Sequence, residues 1–144
     1  MVDSRAFWDS SGLIPALVRQ ASSGRTRQFL RIHSKAVVCW LTPVELNSAL
    51  APLLRGGALK PAGLHFALGQ VAALEARWVE VSPTIELHAL AAELLYKHNL
   101  RAADALQLGS ALVWCGGRPR ARSFITLDER LAEAARAVGF KVLS

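Results

Sequence analysis

Cysteine is scarce in this chain, acids are outnumbered by bases, and no long apolar run occurs. Each shortage removes a class of protein. Cys39 and Cys115 are the only cysteines among 144 residues, too few and too isolated for a disulfide scaffold or a thiolate metal site. Both read as packing residues. Arg, Glu, Gly and Pro interrupt every apolar stretch before it reaches the roughly 18 to 20 residues needed to cross a bilayer, so no membrane association is expected. Asp3 and Asp9 fall where a secretory leader would need an apolar segment, which makes the cytoplasm the expected location.

Catalytic signatures are missing too. There is no G-x-S-x-G elbow, and neither cysteine has an evident histidine partner. GRPRARS and LLRGGALKP lack the lysine and hydroxyl of a phosphate-cradling loop. His33, His65, His88 and His98 are scattered without zinc-ligand spacing. Asp9 is followed by Ser10 and Ser11 rather than by an aspartate two residues on, unlike a phosphatase that works through an aspartyl intermediate.

The chain does have enough apolar material for a core. Its composition is 52% hydrophobic and 19% charged, and its length suits one domain over residues 1–144. Seventeen Lys and Arg against eleven Asp and Glu leave a formal charge of +6. Most of the bases are arginine, which pairs well with phosphate, so nucleic acid is favoured over an acidic protein as the partner. Two clusters stand out: Arg25, Arg27 and Arg31, and Arg118, Arg120 and Arg122. The second cluster precedes a strand and should lie opposite the sheet edge where the acids gather.

Five short segments rich in Val, Ile, Phe or Trp read as buried strands: AFW before Asp9, AVVCWL at 36–41, ARWVEV at 76–81, SFIT at 123–126 and FKVL at 140–143. Trp8, Trp40 and Trp78 fall in or beside them as core residues. Helical patterns cover 11–22, 43–55, 61–74, 83–97, 102–115 and 128–138. Thr42-Pro43 and Ser82-Pro83 resemble helix starts, and Gly139 a helix stop. Alternating strands and helices predict a mostly parallel sheet covered on both faces, with ligands at the carboxyl ends of its strands.

Four acids cluster at that edge in this scheme. Asp9 follows the first strand, Glu45 lies in the first turn after the second, and Asp128 comes just after the fourth. Asp104 sits early in a helix among apolar and small neighbours, where an ionised carboxylate needs compensation. A divalent cation would provide it: Mg²⁺, or Mn²⁺ in its place, prefers oxygen ligands and supports phosphodiester hydrolysis. Plainer roles stand beside this one. Asp9 can cap its helix, Glu45 can complete a Thr42–Glu45 capping box, Asp104 can pair with Arg101 or the helix dipole, and Asp128 can be an N-cap. Ser10, Ser11 and Thr126 neighbour the acids and can orient a carboxylate or a metal-bound water.

At these residues the chain resembles the PIN domain, and within it the toxin ribonucleases of the VapC type. The matching stretches are FWDSSGLI with Asp9, TPVELNSALAPLLRG with Glu45, LRAADALQLGSALV with Asp104, and FITLDERLAEAARAVGFKVL with Asp128. The likeness runs through nearly the whole chain, departing at Gly12 and Gly109, where bulkier small residues are usual. It implies a three-layer α/β/α sandwich with strand order 3-2-1-4-5 and a catalytic, metal-ligating set of Asp9, Glu45, Asp104 and Asp128, supported by Ser10, Thr126 and Arg101. It also implies Mg²⁺ or Mn²⁺ as cofactor, structured RNA as substrate, a homodimer, and a cognate antitoxin protein as partner. A metal nuclease for RNA maturation or DNA, and a noncatalytic binding module on the same fold, remain open at this point.

Overall fold

The computed structural model describes residues 3–144; residues 1–2 of the expected 1–144 domain lie outside the described residues. Twelve elements follow one another: β1 (Arg5–Trp8), α1 (Ser10–Leu17), α2 (Ser23–Ile32), β2 (Lys35–Cys39), α3 (Thr42–Arg55), α4 (Pro61–Glu75), β3 (Val79–Val81), α5 (Ile85–Lys97), α6 (Ala102–Trp114), β4 (Ser123–Ile125), α7 (Glu129–Val138) and β5 (Lys141–Leu143). The strands form one sheet in the order β3-β2-β1-β4-β5, and every neighbouring pair is parallel. This is the expected three-layer α/β/α sandwich.

Side-chain alternation along the strands divides the core in two. Phe7, Val37, Cys39 and Phe124 point to one face, where they meet Ala91, Leu94, Leu108 and Leu131 of α5, α6 and α7. Ala6, Trp8, Ala36, Val38 and Ile125 point to the other, against Leu13, Leu46, Leu50 and Val71 of α1, α3 and α4. Phe7 and Phe124 stack across neighbouring strands with ring centroids 5.3 Å apart. Trp8 is fully buried, Trp40 and Trp78 are half-buried, and Cys39 is buried while Cys115 is half-buried. Burial pushes both thiols above their ordinary value, as suits packing residues.

The expected helix over 11–22 is in fact two elements. Helix α1 stops at Leu17, because Val18 is extended (φ −131°, ψ 144°). After a turn in which the Ser23 hydroxyl accepts from the Gln20 N–H at 2.8 Å, α2 begins. Its sequence, SGRTRQFLRI, buries only Ser23 and Thr26 fully, so its apolar stripe was too weak to read. Two caps also moved. Helix α5 starts after Thr84, whose hydroxyl accepts from the Leu87 N–H at 3.1 Å, so Thr84 rather than Ser82 is its N-cap. Helix α3 starts at Thr42 itself and its N-cap, Leu41, makes no side-chain bond. Gly139 does close α7, with a left-handed φ of 114° that favours glycine.

Candidate active site at the carboxyl edge of the sheet

Asp9 sits immediately after β1, and its main-chain N–H donates to the Ile125 carbonyl of β4 at 3.0 Å. The strand pairing thus runs up to the acid. Although Asp9 occupies the N-cap position of α1, its side chain caps nothing. The carboxylate instead accepts from the Ser11 hydroxyl at 2.5 Å and the Thr126 hydroxyl at 2.9 Å, both on Oδ2. Only 5% of Asp9 is exposed. Burial lifts its carboxyl from 3.8 to about 6; the hydroxyls of Ser11 and Thr126 pull it down, and the Glu45 charge pushes it further up.

Glu45 is half-buried one turn into α3. The capping box expected with Thr42 does not form, since α3 begins one residue earlier and the Thr42 hydroxyl faces inward. Glu45 Oε1 accepts from the Ser10 hydroxyl at 3.1 Å and from the Gln107 amide at 2.5 Å. Ser10 and Ser11 thereby tie adjacent positions of α1 to the two acids, one each. Asp9 and Glu45 are brought together closely enough for one charge to be felt by the other.

Asp104 and Asp128 occupy the same edge in a different manner, since both cap helices. Asp104 Oδ2 accepts from the Arg101 main-chain N–H at 3.1 Å, and Asp128 Oδ1 accepts from the Leu131 N–H at 3.1 Å. The Arg101 guanidinium forms no ion pair among the described residues, so Arg101 holds Asp104 through its backbone and not through the charge pair considered from sequence. Asp104 lies three residues before Gln107 on α6, hence on the same face and one turn away. The Thr126 hydroxyl accepts from the Asp128 N–H at 3.1 Å, which links the fourth acid to the Asp9 network.

Gln107, Ser11 and Thr42 complete the site; from sequence Thr42 reads only as a helix cap and Gln107 has no role of its own. Gln107 is 1% exposed. Its amide nitrogen reaches Ser10 Oγ at 3.1 Å and Thr42 Oγ1 at 3.4 Å besides Glu45. An amide within the apolar run DALQLGSALV, on the Asp104 face, was the signal available.

The donor chemistry fits a hard divalent cation. In each of the four acids the hydrogen bonds made by described residues end on a single oxygen: Asp9 Oδ2, Glu45 Oε1, Asp104 Oδ2 and Asp128 Oδ1. The second oxygen of each remains for another ligand. Among the described residues, no three or more His, Cys, Asp or Glu side chains are grouped as a metal cage.

No known family model matches this chain, and no curated protein matches it by sequence. The fold is PIN-like. Its sheet order β3-β2-β1-β4-β5 with all neighbours parallel, layered between helices, is consistent with PIN-domain nucleases in general.

Arg25 and Arg122, one from each basic cluster, fall on different sides of this PIN-like fold. Arg25 on α2 donates to the Ser144 main-chain oxygen at 2.8 Å, next to the carboxyl end of β5 and therefore on the side of the acids. Arg122 pairs with Asp3 at 2.9 Å and lies over the Trp114 ring at 5.5 Å, at the opposite edge, as expected from sequence. Among the described residues, no helix is long and apolar enough to cross a membrane.

Proposed function

We propose that the chain is a metal-dependent endoribonuclease that hydrolyses phosphodiester bonds in RNA, acting as the toxin of a toxin-antitoxin pair. The observation that carries this reading is the meeting of Asp9 and Glu45, just beyond the ends of two adjacent parallel strands, in one network of Ser10, Ser11, Thr126 and Gln107. Asp9, Glu45, Asp104 and Asp128 would hold Mg²⁺, or Mn²⁺ as substitute, through the oxygens their hydrogen bonds leave over. When bound, the ion would acidify a water, orient the scissile phosphate and offset charge on its oxygens.

The chain's own groups do the positioning. Ser11 and Thr126 fix Asp9, Ser10 fixes Glu45, and capping bonds to Arg101 and Leu131 fix Asp104 and Asp128. Arg25 supplies positive charge on the side of the acids, where a phosphate backbone would otherwise be repelled. In the overall reaction the water oxygen bonds to phosphorus, the bond from phosphorus to the 3′ oxygen breaks, and that oxygen takes up a proton. The products are a 5′-phosphate and a 3′-hydroxyl. In this reading the chain forms a homodimer in the cytoplasm and is silenced by a cognate antitoxin protein.

Sequencing of the 5′ ends produced when the purified chain meets total cellular RNA with Mn²⁺, beside the Asp9→Ala variant, tests the proposal. A few discrete Asp9-dependent cuts are expected. Cuts that persist in Asp9→Ala would remove the site, and cleavage confined to DNA would replace the substrate.

A further inference from the structure

We propose that Gln107 is a positioning residue for Glu45, a role that rests on the metal-nuclease reading above. Three elements that approach from different parts of the chain meet at its amide. Ser10 opens α1 after β1, Thr42 opens α3 after β2, and Gln107 itself lies in the second turn of α6. The amide nitrogen donates to Glu45 Oε1 at 2.5 Å and to Ser10 Oγ at 3.1 Å, and Ser10 Oγ donates in turn to the same Glu45 oxygen at 3.1 Å. The result is a closed triangle around one carboxylate oxygen. An amide has two N–H donors, so the Thr42 oxygen at 3.4 Å is the weakest of the three contacts.

The orientation of the amide is dictated by this triangle. Rotated by half a turn, its oxygen would face the Glu45 carboxylate, acceptor against acceptor. With the nitrogen turned to Glu45, the other end of the amide is left over. Gln107 Oε1 is buried and has no hydrogen-bond partner among the described residues. A buried, unpartnered carbonyl is destabilising, and an apolar side chain of the same length would avoid that cost. What the amide does provide is a fixed direction for Glu45: with Oε1 held by Ser10 and Gln107, Oε2 is the oxygen that would be left to hold a cation. Because Asp104 projects from the same helix face one turn earlier, Gln107 also sets the spacing between the helices bearing the second and third acids.

Gln107→Met keeps the length and removes the donor. The expected outcome is a divergence of stability and binding in the full chain. The unfolding temperature without metal stays within about 2 °C of wild type or rises, while Mn²⁺ affinity, read by electron paramagnetic resonance, weakens by roughly 10- to 100-fold. Because both residues act through one carboxylate, Gln107→Met should add little to Glu45→Gln in a double-mutant cycle. The proposal is overturned by a Gln107→Met protein that fails to fold or melts well below wild type with Mn²⁺ affinity unchanged, since the amide would then be structural. Full additivity with Glu45→Gln overturns it as well. Failure of the parent reading is visible separately, in the wild-type chain binding no Mn²⁺, and it takes the role of Gln107 with it.

Discussion

Two aspartates bracket strand β1, and the fold treats them in opposite ways. Asp3, just before the strand, is 38% exposed at its side chain and meets Arg5 at 3.2 Å and Arg122 at 2.9 Å. The Arg5 main-chain and side-chain bonds hold its carboxyl below the ordinary value. Asp9, just after the strand, is buried among hydroxyls beside a second acid and is raised to about 6. One edge of the sheet neutralises its acid with arginine. The other buries its acid with only neutral donors and like charge for company, which leaves a charge deficit that a cation can fill.

The sharpest break between the two edges is expected in catalysis. Asp9→Asn should lower RNA cleavage by about a thousandfold or more, the scale on which a lost metal ligand removes charge stabilisation. Asp3→Asn should leave cleavage unchanged. Equal losses in the two variants would show that the edges do not differ in function.

Stability against pH comes next. Between 3.8 and about 6 the folded chain retains the Asp9 proton while the unfolded chain has lost it. The contribution is therefore fully present below the unfolded value and disappears as pH rises through the folded one. At about 1.4 kcal/mol per unit, metal-free protein gives up to about 3 kcal/mol across this window. Asparagine stays neutral, so thermal unfolding of Asp9→Asn should be flatter with pH and higher than wild type above pH 7. A wild-type pH profile in Asp9→Asn would refute the buried-charge account.

Metal addition should separate the same pair by a similar amount. Mn²⁺ at about a hundred times its Kd stabilises a one-site protein by about 2.7 kcal/mol; wild type and Asp3→Asn should both show the rise in unfolding temperature, and Asp9→Asn should lose it. The smallest effect belongs to Asp3 itself. Its exposed ion pairs should be worth no more than about 1 kcal/mol and should fade as salt is added, which a denaturant titration at two ionic strengths can read.

Much of this was legible in the order of residues. Periodicity and strand composition located five strands and all the helices except α2, because most elements bury an apolar face and burial leaves a period in the sequence. Helix α2 escaped because its polar surface buries little beyond Ser23 and Thr26. Strand ends likewise indicated that Asp9, Glu45 and Asp128 share one edge, since a parallel sheet puts every strand's carboxyl end on the same side. Gly139 was readable as a helix stop because a left-handed turn favours one residue type.

What tertiary structure alone decided is the partnership of each side chain. In sequence, capping is open to Asp9, Glu45 and Asp128, and a charge pair or the helix dipole to Asp104, yet Asp104 and Asp128 cap their helices while Asp9 and Glu45 do not. The difference lies in Thr126, Ser10 and Gln107, which reach the latter pair from positions as far as 117 residues away in the chain. Local sequence sets which residues can form a helix or strand, because those preferences depend on neighbours a few positions apart. Which carboxylate is buried, which oxygen remains over, and that Gln107 meets Glu45 at all depend on the packing of α1, α3 and α6 around one sheet edge, and that packing is a property of the whole chain.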